Sequence, residues 1–179
     1  MKIFIAGARA LSHFDAEVCH KLQSIYEKGY DVLIGDAAGI DSAVQRYYAE
    51  KNYKSVTIFA SNGVARNNIG CWDIENVAVE GNLKGFEFYK QKDIAMANAA
   101  DYGFMIWNGE SRGTLNNINN LIQQKKVCCV YLSAKKKFYT IDSTDKLLQL
   151  LSVSPQSATN AYRKLTEVKT AQFAQLAMF

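Results

Sequence analysis

Short apolar runs alternate with amphipathic helical stretches along most of this chain, and the alternation limits the folds open to it. The runs that predict strands lie at 2–6, 32–34, 55–59, 101–107 and 127–132. Strands that alternate with helices at this spacing form right-handed crossovers, so consecutive strands lie parallel in one sheet. We therefore predict an α/β three-layer fold with a parallel sheet of about five strands.

The composition fits one such domain with an appendage. The chain has 179 residues, of which 49% are hydrophobic and one is proline, enough to bury one sizeable core. The pattern changes after residue 134, where a short strand and two helices are predicted. We expect one α/β domain over 1–134 and a mostly helical extension over 135–179.

The last predicted helix carries an apolar stripe. Its members are Ala158, Ala161, Tyr162, Leu165, Val168, Phe173 and Leu176. Such a stripe must be covered, either by the core of the same chain or by a second copy in a homodimer. Both alternatives remain open at this point.

The net charge of +4 is concentrated at the carboxyl-terminal end. Residues 1–134 contain 14 Lys and Arg against 14 Asp and Glu, so the basic excess lies in 135–179. Nucleic acid is bound largely through basic residues that neutralise its phosphates. A large basic face for duplex DNA is therefore not expected on the neutral core, and we do not expect nucleic acid as the partner. Alternatively, the lysines at 135–137 and the tail contact nucleic acid or a phosphorylated partner.

The apolar runs and the cysteines favour a cytoplasmic protein. No run reaches the roughly 20 residues that a membrane span needs, so no membrane partner is expected. The four cysteines lack C-x-x-C spacing, which is typical of reduced structural thiols. A zinc site that combines Cys71 with His13 or His20 is a minor alternative, and we expect no metal and no cofactor.

The stretch 31–46 predicts a strand, a tight turn and a helix. Gly35 and Gly39 allow a ligand to approach the backbone closely, and the helix start favours an anion. The carboxylates of Asp36 and Asp41 oppose a phosphate, so a hydroxyl-rich group such as a ribose fits this turn better. Alternatively, Asp36 caps the helix and Asp41 complements its dipole.

Two other strand-to-helix turns carry phosphate donors. Gly7 and Arg9 follow the first strand, and the turn brings the arginine to the carboxyl edge of the sheet, although Arg9 alternatively pairs with a surface acid. The turn at 108–114 combines glycines, hydroxyls and an arginine at a helix N-terminus. Its candidate ligand-binding residues are Gly109, Ser111, Arg112, Gly113 and Thr114.

Residues 61–88 show no regular spacing of hydrophobic residues and contain four glycines. An irregular stretch of this length in a compact domain is either a functional lid or a sign of an undetected element. A lid or a β-hairpin insertion is the favoured interpretation. Arg66, Asn67 and Trp72 would then close over a base.

Three segments together carry a resemblance to a known superfamily. They are Ile-Ala-Gly-Ala-Arg at 5–9, Gly-Asp-Ala-Ala-Gly-Ile-Asp at 35–41, and Ala-Asp at 100–101 leading into Gly-Glu-Ser-Arg-Gly-Thr at 109–114. In this order they resemble the SLOG superfamily of Rossmann-like proteins, which includes DprA, the lonely guy phosphoribohydrolases and the YpsA- and YspA-like proteins. The likeness covers 1–132 and is closest to the YspA-like branch.

The resemblance implies a Rossmann-like fold and a nucleotide or nucleotide-derived ligand at the carboxyl ends of the strands. The phosphoribohydrolases carry Pro-Gly-Gly-x-Gly-Thr-x-x-Glu, in which the final carboxylate assists cleavage of the N-glycosidic bond. Here Gly113 and Thr114 are kept, but Asn117 stands in place of the acid. An amide can neither take a proton at neutral pH nor form a glycosyl ester.

We therefore predict a protein that binds a nucleotide-derived small molecule as a sensor or accessory protein. The alternative is a nucleoside monophosphate N-glycosidic hydrolase or a deoxyribosyltransferase-like enzyme, with Glu110 or Asp36 as the catalytic group. Single-stranded DNA binding in the manner of DprA is a weaker alternative.

Overall fold

A computed structural model describes residues 1–79 and 81–176, and the side chains of residues 168–176 lie outside the description. The strands are β1 (Lys2–Gly7), β2 (Asp31–Gly35), β3 (Val56–Ser61), β4 (Asp73–Val77), β5 (Tyr102–Trp107), β6 (Cys128–Leu132) and β7 (Lys137–Ile141). The helices are α1 (Ala16–Glu27), α2 (Ile40–Glu50), α3 (Gly85–Ala99), α4 (Arg112–Gln123), α5 (Thr144–Ser152) and α6 (Gln156–Leu176), and a 3-10 turn spans Ser133–Lys135.

The described strands form one sheet in the order β4-β3-β2-β1-β5-β6-β7. Every neighbouring pair is parallel except β6 and β7, which are antiparallel. The α/β class of the prediction is confirmed. The sheet has seven strands instead of about five because β4 and β7 extend its two edges.

Helices cover both faces of the sheet because its central strands are apolar on both sides. Ile3 and Ile5 of β1 pack in a cluster with α1 and α2. Phe4, the residue between them, packs with α3 and α4 on the opposite face. Alternation of side chains along the strand therefore builds the three layers. Within the described chain, none of the helices is sufficiently long and apolar for a membrane span.

The carboxyl-terminal extension packs on the same core. Leu147 and Leu150 of α5 and Ala158 and Leu165 of α6 are buried in the cluster that includes β5 and β6. Of the predicted stripe, the side chains of Val168, Phe173 and Leu176 lie outside the description, so the dimer contact stays a prediction. The domain boundary at residue 134 also stays a prediction.

The irregular segment 61–88 contains β4 and the first turn of α3, both of which the sequence pattern hides. Gln45 is fully buried and ties the loop before β4 to the sheet. Its amide donates to the Gly35 carbonyl at 2.9 Å and accepts from the Ile69 N–H at 3.0 Å. Trp72 is buried and donates to the Tyr53 carbonyl. The expectation that Trp72 closes over a base is therefore wrong, because its ring belongs to the core.

Gly39 gives a stability prediction. Its φ is +81°, and an added Cβ would meet the carbonyl oxygen of Arg9. Gly29 also has a positive φ, +62°, but has open space around it. We expect Gly39→Ala to lower the free energy of unfolding by at least about 2 kcal/mol, and the matched control Gly29→Ala by about 1 kcal/mol. Urea denaturation followed by circular dichroism measures both, and equal losses would contradict the close contact.

Candidate functional site

A cleft of about 560 Å³ opens at the carboxyl ends of β1 and β5. These two strands are neighbours at the point where the strand order reverses, the place where open α/β sheets bind ligands. The loops after β1 and β5, the turn before α2 and the first half of α3 line it. The turns that the sequence analysis singled out therefore converge on one concave surface.

The structure divides the predicted site residues into two groups. Those that line the cleft are Gly7, Arg9, Asp41, Glu110, Ser111, Gly113 and Thr114. Those that lie behind or beside its wall are Gly35, Asp36, Gly39, Gly109 and Arg112. Gly39 and Gly109 adopt positive φ values of 81° and 86°, so they shape the turns through their backbone conformation.

Asp36 is a buried anchor of the turn after β2. Its Oδ1 accepts from Arg66 Nη2 at 2.6 Å and from Lys92 Nζ at 2.7 Å, and its Oδ2 accepts from Arg66 Nε and the Arg66 N–H, each at 3.0 Å. Burial raises the pKa of Asp36, but the hydrogen bonds from Arg66 and Lys92 outweigh it and hold the pKa well below the ordinary range. Both carboxylate oxygens are thus occupied, and Gly39, not Asp36, is the N-cap of α2.

Gly35 packs directly under this charged cluster. A Cβ at that position would lie 2.5 Å from Asp41 Oδ2 and 2.9 Å from Lys92 Nζ. Because Gly35 has no side chain, the Asp41 carboxylate and the Lys92 ammonium can pack against its backbone. Gly35 therefore has a packing role beside the cleft.

Two carboxyl groups of the cleft have pKa values near neutrality. Asp41 accepts the Ala37 N–H at 3.3 Å, and burial raises its pKa to about 6 against the nearby charge of Lys92. Burial raises the pKa of Asp93, on α3, to about 7; Lys92 opposes this rise, and the charge of Asp41 adds to it. The nearby Asn117 side chain acts to lower the pKa of Asp93. Both acids can therefore exchange protons near neutral pH.

The turn between β5 and α4 uses several of its own donors. Asn108 Oδ1 accepts the N–H groups of Glu110 and Ser111 at 3.1 and 2.9 Å. Ser111 Oγ accepts from the Thr114 N–H at 3.4 Å and from the Thr114 hydroxyl at 3.0 Å. The hydroxyl hydrogen of Ser111 and the first N–H groups of α4, including that of Gly113, have no partner within the turn or the helix. The positive end of the α4 dipole thus faces the cleft.

Tyr89 stands in the cleft between two arginines. The guanidinium of Arg9 lies 5.1 Å from its ring centroid, and that of Arg66 lies 4.4 Å away. Arg9 is exposed and forms no ion pair with any described residue. The alternative that Arg9 pairs with a surface acid is therefore not observed.

Sequence reasoning missed the contribution of α3. Phe86, Tyr89, Lys90, Lys92 and Asp93 all line the cleft, but the helix begins at Gly85, inside the segment 61–88 that the sequence analysis described as irregular. The adjacent charges of Lys92 and Asp93 were the available signal. Lys92 lies four residues before Met96 and therefore on the same face of the helix, and Met96 is buried.

No group of three or more His, Cys, Asp or Glu side chains is placed to hold a metal ion in the part of the chain that the structure describes. The cleft instead is lined by one guanidinium group, that of Arg9, by the ammonium groups of Lys90 and Lys92, and by carboxyl groups and backbone N–H groups. These groups suit an organic anion with hydroxyls.

The comparisons with known proteins concern the fold. No protein-family model matches the chain, and no curated protein is significantly similar to it. Among solved structures, DNA processing protein A (DprA) of Helicobacter pylori matches with a TM-score of 0.56 at 12% sequence identity. The match covers 73% of this chain and 64% of the DprA chain, so this chain spans less than two thirds of DprA's length. At this identity the likeness shows a shared Rossmann-like fold.

The expectation that nucleic acid is not a partner is contradicted by this comparison. The DprA structure was described for its single-stranded DNA binding mode. The expectation rested on the equal numbers of acidic and basic residues in 1–134. Such a total does not say where the charges lie: Arg9 is exposed at the cleft and has no ion-pair partner among the described residues.

The buried ion pair between Asp36 and Lys92 leads to a second prediction. Asp36→Asn removes the carboxylate that pairs with the buried Lys92 ammonium at 2.7 Å, so we expect a loss of about 3–5 kcal/mol in the free energy of unfolding at pH 7. Glu87→Gln, which removes the half-exposed pair with Lys90, is the matched control and should cost less than about 1 kcal/mol. Urea denaturation gives both values. Similar small losses would show that the buried pair does not stabilise the fold.

The raised pKa values of Asp41 and Asp93 predict a pH dependence of stability. Between the ordinary Asp value of 3.8 and about 7, the folded state binds more protons than the unfolded state, so the free energy of unfolding falls as pH rises. The pKa of Asp36 is lowered below 3.8 in the folded state, so its contribution to the free energy of unfolding stays nearly constant over this pH range.

Asp93→Asn should flatten that fall, and Asp142→Asn, at an exposed surface pair, should leave it as in the wild type. Denaturation at pH 5, 6, 7 and 8 tests the prediction. A wild-type stability that rises over this range, or an equal slope in the Asp93 variant, would refute it.

Proposed function

We propose that this chain binds a phosphorylated nucleoside unit in the cleft between the β1 and β5 turns. The observation that carries the proposal is that hydrogen-bond donors line one side of the cleft and hydrogen-bond acceptors line the other. The N-terminus of α4 supplies unpaired N–H donors, and on the other side Asp41 and Asp93 supply acceptors. A phosphate attached to a hydroxyl-bearing sugar matches this polarity.

The phosphate would lie against the start of α4. Gly113 has no atom within 4 Å of the place of its missing Cβ, so its backbone is open to a ligand. The Ser111 hydroxyl, the Gly113 N–H and the free guanidinium of Arg9 are suitable donors. The helix dipole adds a further attraction for the negative charge.

The sugar and base would extend toward α2 and α3. Carboxyl groups such as Asp41 and Asp93 accept hydrogen bonds from sugar hydroxyls. Tyr89 offers an aromatic ring on which a base can stack, and Arg9 and Arg66 polarise that ring.

Binding is better supported than catalysis. Asp36 has no free carboxylate oxygen, Asn117 cannot act as an acid or base, and Glu110 is exposed at the mouth of the cleft. Within the enzymatic alternative, Asp93 with a pKa of about 7 is a more suitable general acid than either predicted catalytic residue. A sensor or accessory protein in a cytoplasm, related to the YspA-like branch, remains the favoured form of the proposal.

Single-stranded DNA is a second candidate ligand, favoured by the fold shared with DprA. A single strand of DNA presents the same phosphate and sugar chemistry as a free nucleotide. Its binding would weaken steeply with salt, because phosphate contacts release counterions, whereas binding of a mononucleotide would depend on salt less. Fluorescence anisotropy of a labelled oligonucleotide at 50 and 200 mM salt separates the two.

The substitution Gly113→Asp tests the proposed phosphate position. The new side chain enters open space, and a carboxylate near a helix N-terminus favours the helix, so folding should be preserved. Its charge would repel a phosphate, and we expect at least a tenfold loss of affinity. The matched control Gly113→Ala should bind within about threefold of the wild type. Calorimetric titration with a panel of nucleoside monophosphates measures the affinity.

Three outcomes of that titration are informative. Loss in the Asp variant alone supports the proposal. Equal binding by all three proteins places the phosphate elsewhere, and no binding to any member of the panel or to the oligonucleotide overturns the proposed function. Appearance of free base in the same samples would instead establish the N-glycosidic enzyme.

A further inference from the structure

A second concave surface lies beside the cleft and is absent from the function proposed above. This groove, of about 290 Å³, runs between α3, α4 and α6 and is lined by Phe86, Glu87, Lys90, Arg112, Asn116, Lys164, Leu165 and Glu167. Phe86 and Lys90 line both the groove and the cleft. The cleft and the groove are therefore adjacent, and one extended ligand can contact both.

Asn116 is the most unusual member of the groove. Its side chain is fully buried, and neither its Oδ1 nor its Nδ2 has a hydrogen-bond partner in the described structure. A buried amide that lacks both partners costs free energy. A primary amide offers one donor edge and one acceptor edge, the pattern that pairs with the edge of a nucleobase. Because Asn116 lines the groove, a ligand there can supply the missing partners once a neighbouring side chain shifts and exposes the amide.

Arg112 supplies the cation of the groove. Its guanidinium lies 5.2 Å from the Phe86 ring centroid, on the groove side, which explains why this predicted phosphate ligand does not line the cleft. It is exposed and has no ion pair with a described residue. The Lys90 ammonium is paired with the Glu87 carboxylate at 3.1 Å. The other two cations of the groove, Arg112 and Lys164, are accompanied by only one further carboxylate among the lining residues, that of Glu167.

We infer that the groove binds a second nucleotide unit, joined through its phosphate to the unit in the cleft. Arg112 contacts the linking phosphate, and Asn116 pairs with the second base next to Phe86. The inference rests on the proposed function, since the first unit occupies the cleft. The ligand class is then a dinucleotide or a short stretch of single-stranded nucleic acid, which share this chemistry.

The test compares affinities along a series of probes. Thymidine 5′-monophosphate, the 5′-phosphorylated dinucleotide, a pyrophosphate-linked dinucleotide and an eight-nucleotide oligothymidylate are titrated against the wild type. We expect the second unit to increase affinity at least tenfold. A further gain from two to eight nucleotides identifies single-stranded DNA as the source, and a gain that ends at two identifies a free dinucleotide.

Arg112→Ala should reduce the gain from the second unit by about tenfold, with partial recovery in Arg112→Lys. Arg163→Ala is the matched control, because Arg163 is an exposed arginine on α6 outside the groove and should keep the full gain. Asn116→Leu, an apolar replacement of similar size, should lose the gain without a loss of thermal stability.

Equal affinity of the wild type for one and two units would overturn the inference while leaving the proposed function standing. A gain that survives in Arg112→Ala would also overturn it. Failure of every probe, including the monophosphate, would overturn the proposed function itself.

Discussion

The contact of Asp36 with Arg66 and Lys92 joins three parts of the chain that are remote in sequence. Asp36 follows β2, Arg66 lies in the loop before β4, and Lys92 lies on α3. A buried carboxylate is stable as an anion only when hydrogen bonds and counter-charges surround it, and four such bonds converge on Asp36. The position of α3, and hence one wall of the cleft, depends on this cluster.

The order of strands and helices was predictable because burial on both faces makes central strands apolar and helices amphipathic. The edge strand β4 was not, since four of its five residues are exposed and its pairing with β3 is made by the backbone. The convergence of Gly7 and Gly113 on one cleft followed from the rule that parallel strands end at one edge. The α3 wall was missed because the burial of Lys92 depends on its tertiary partner Asp36, although the adjacent charges of Lys92 and Asp93 were a signal in the sequence.

The direction in which a side chain points was the second property that could not be predicted from the sequence. Arg112 stands at a helix N-terminus among glycines and hydroxyls, a pattern typical of phosphate ligands, yet its guanidinium turns toward Phe86. Asp36 follows a strand as a cap residue would, yet Gly39 occupies the cap position. Both outcomes depend on neighbours from other elements, which no local pattern encodes.

Burial raises the pKa values of Asp41 and Asp93, so the proposed binding of an anion in the cleft would depend on the proton concentration. In the proposed complex, the negative charge of a phosphate across the cleft would disfavour the ionised forms of Asp41 and Asp93, so binding would draw protons from the solvent. Occupancy of the cleft would then increase as the surroundings acidify, even at a constant concentration of the anion. A binding protein built in this way reports metabolite and acidity as one combined signal.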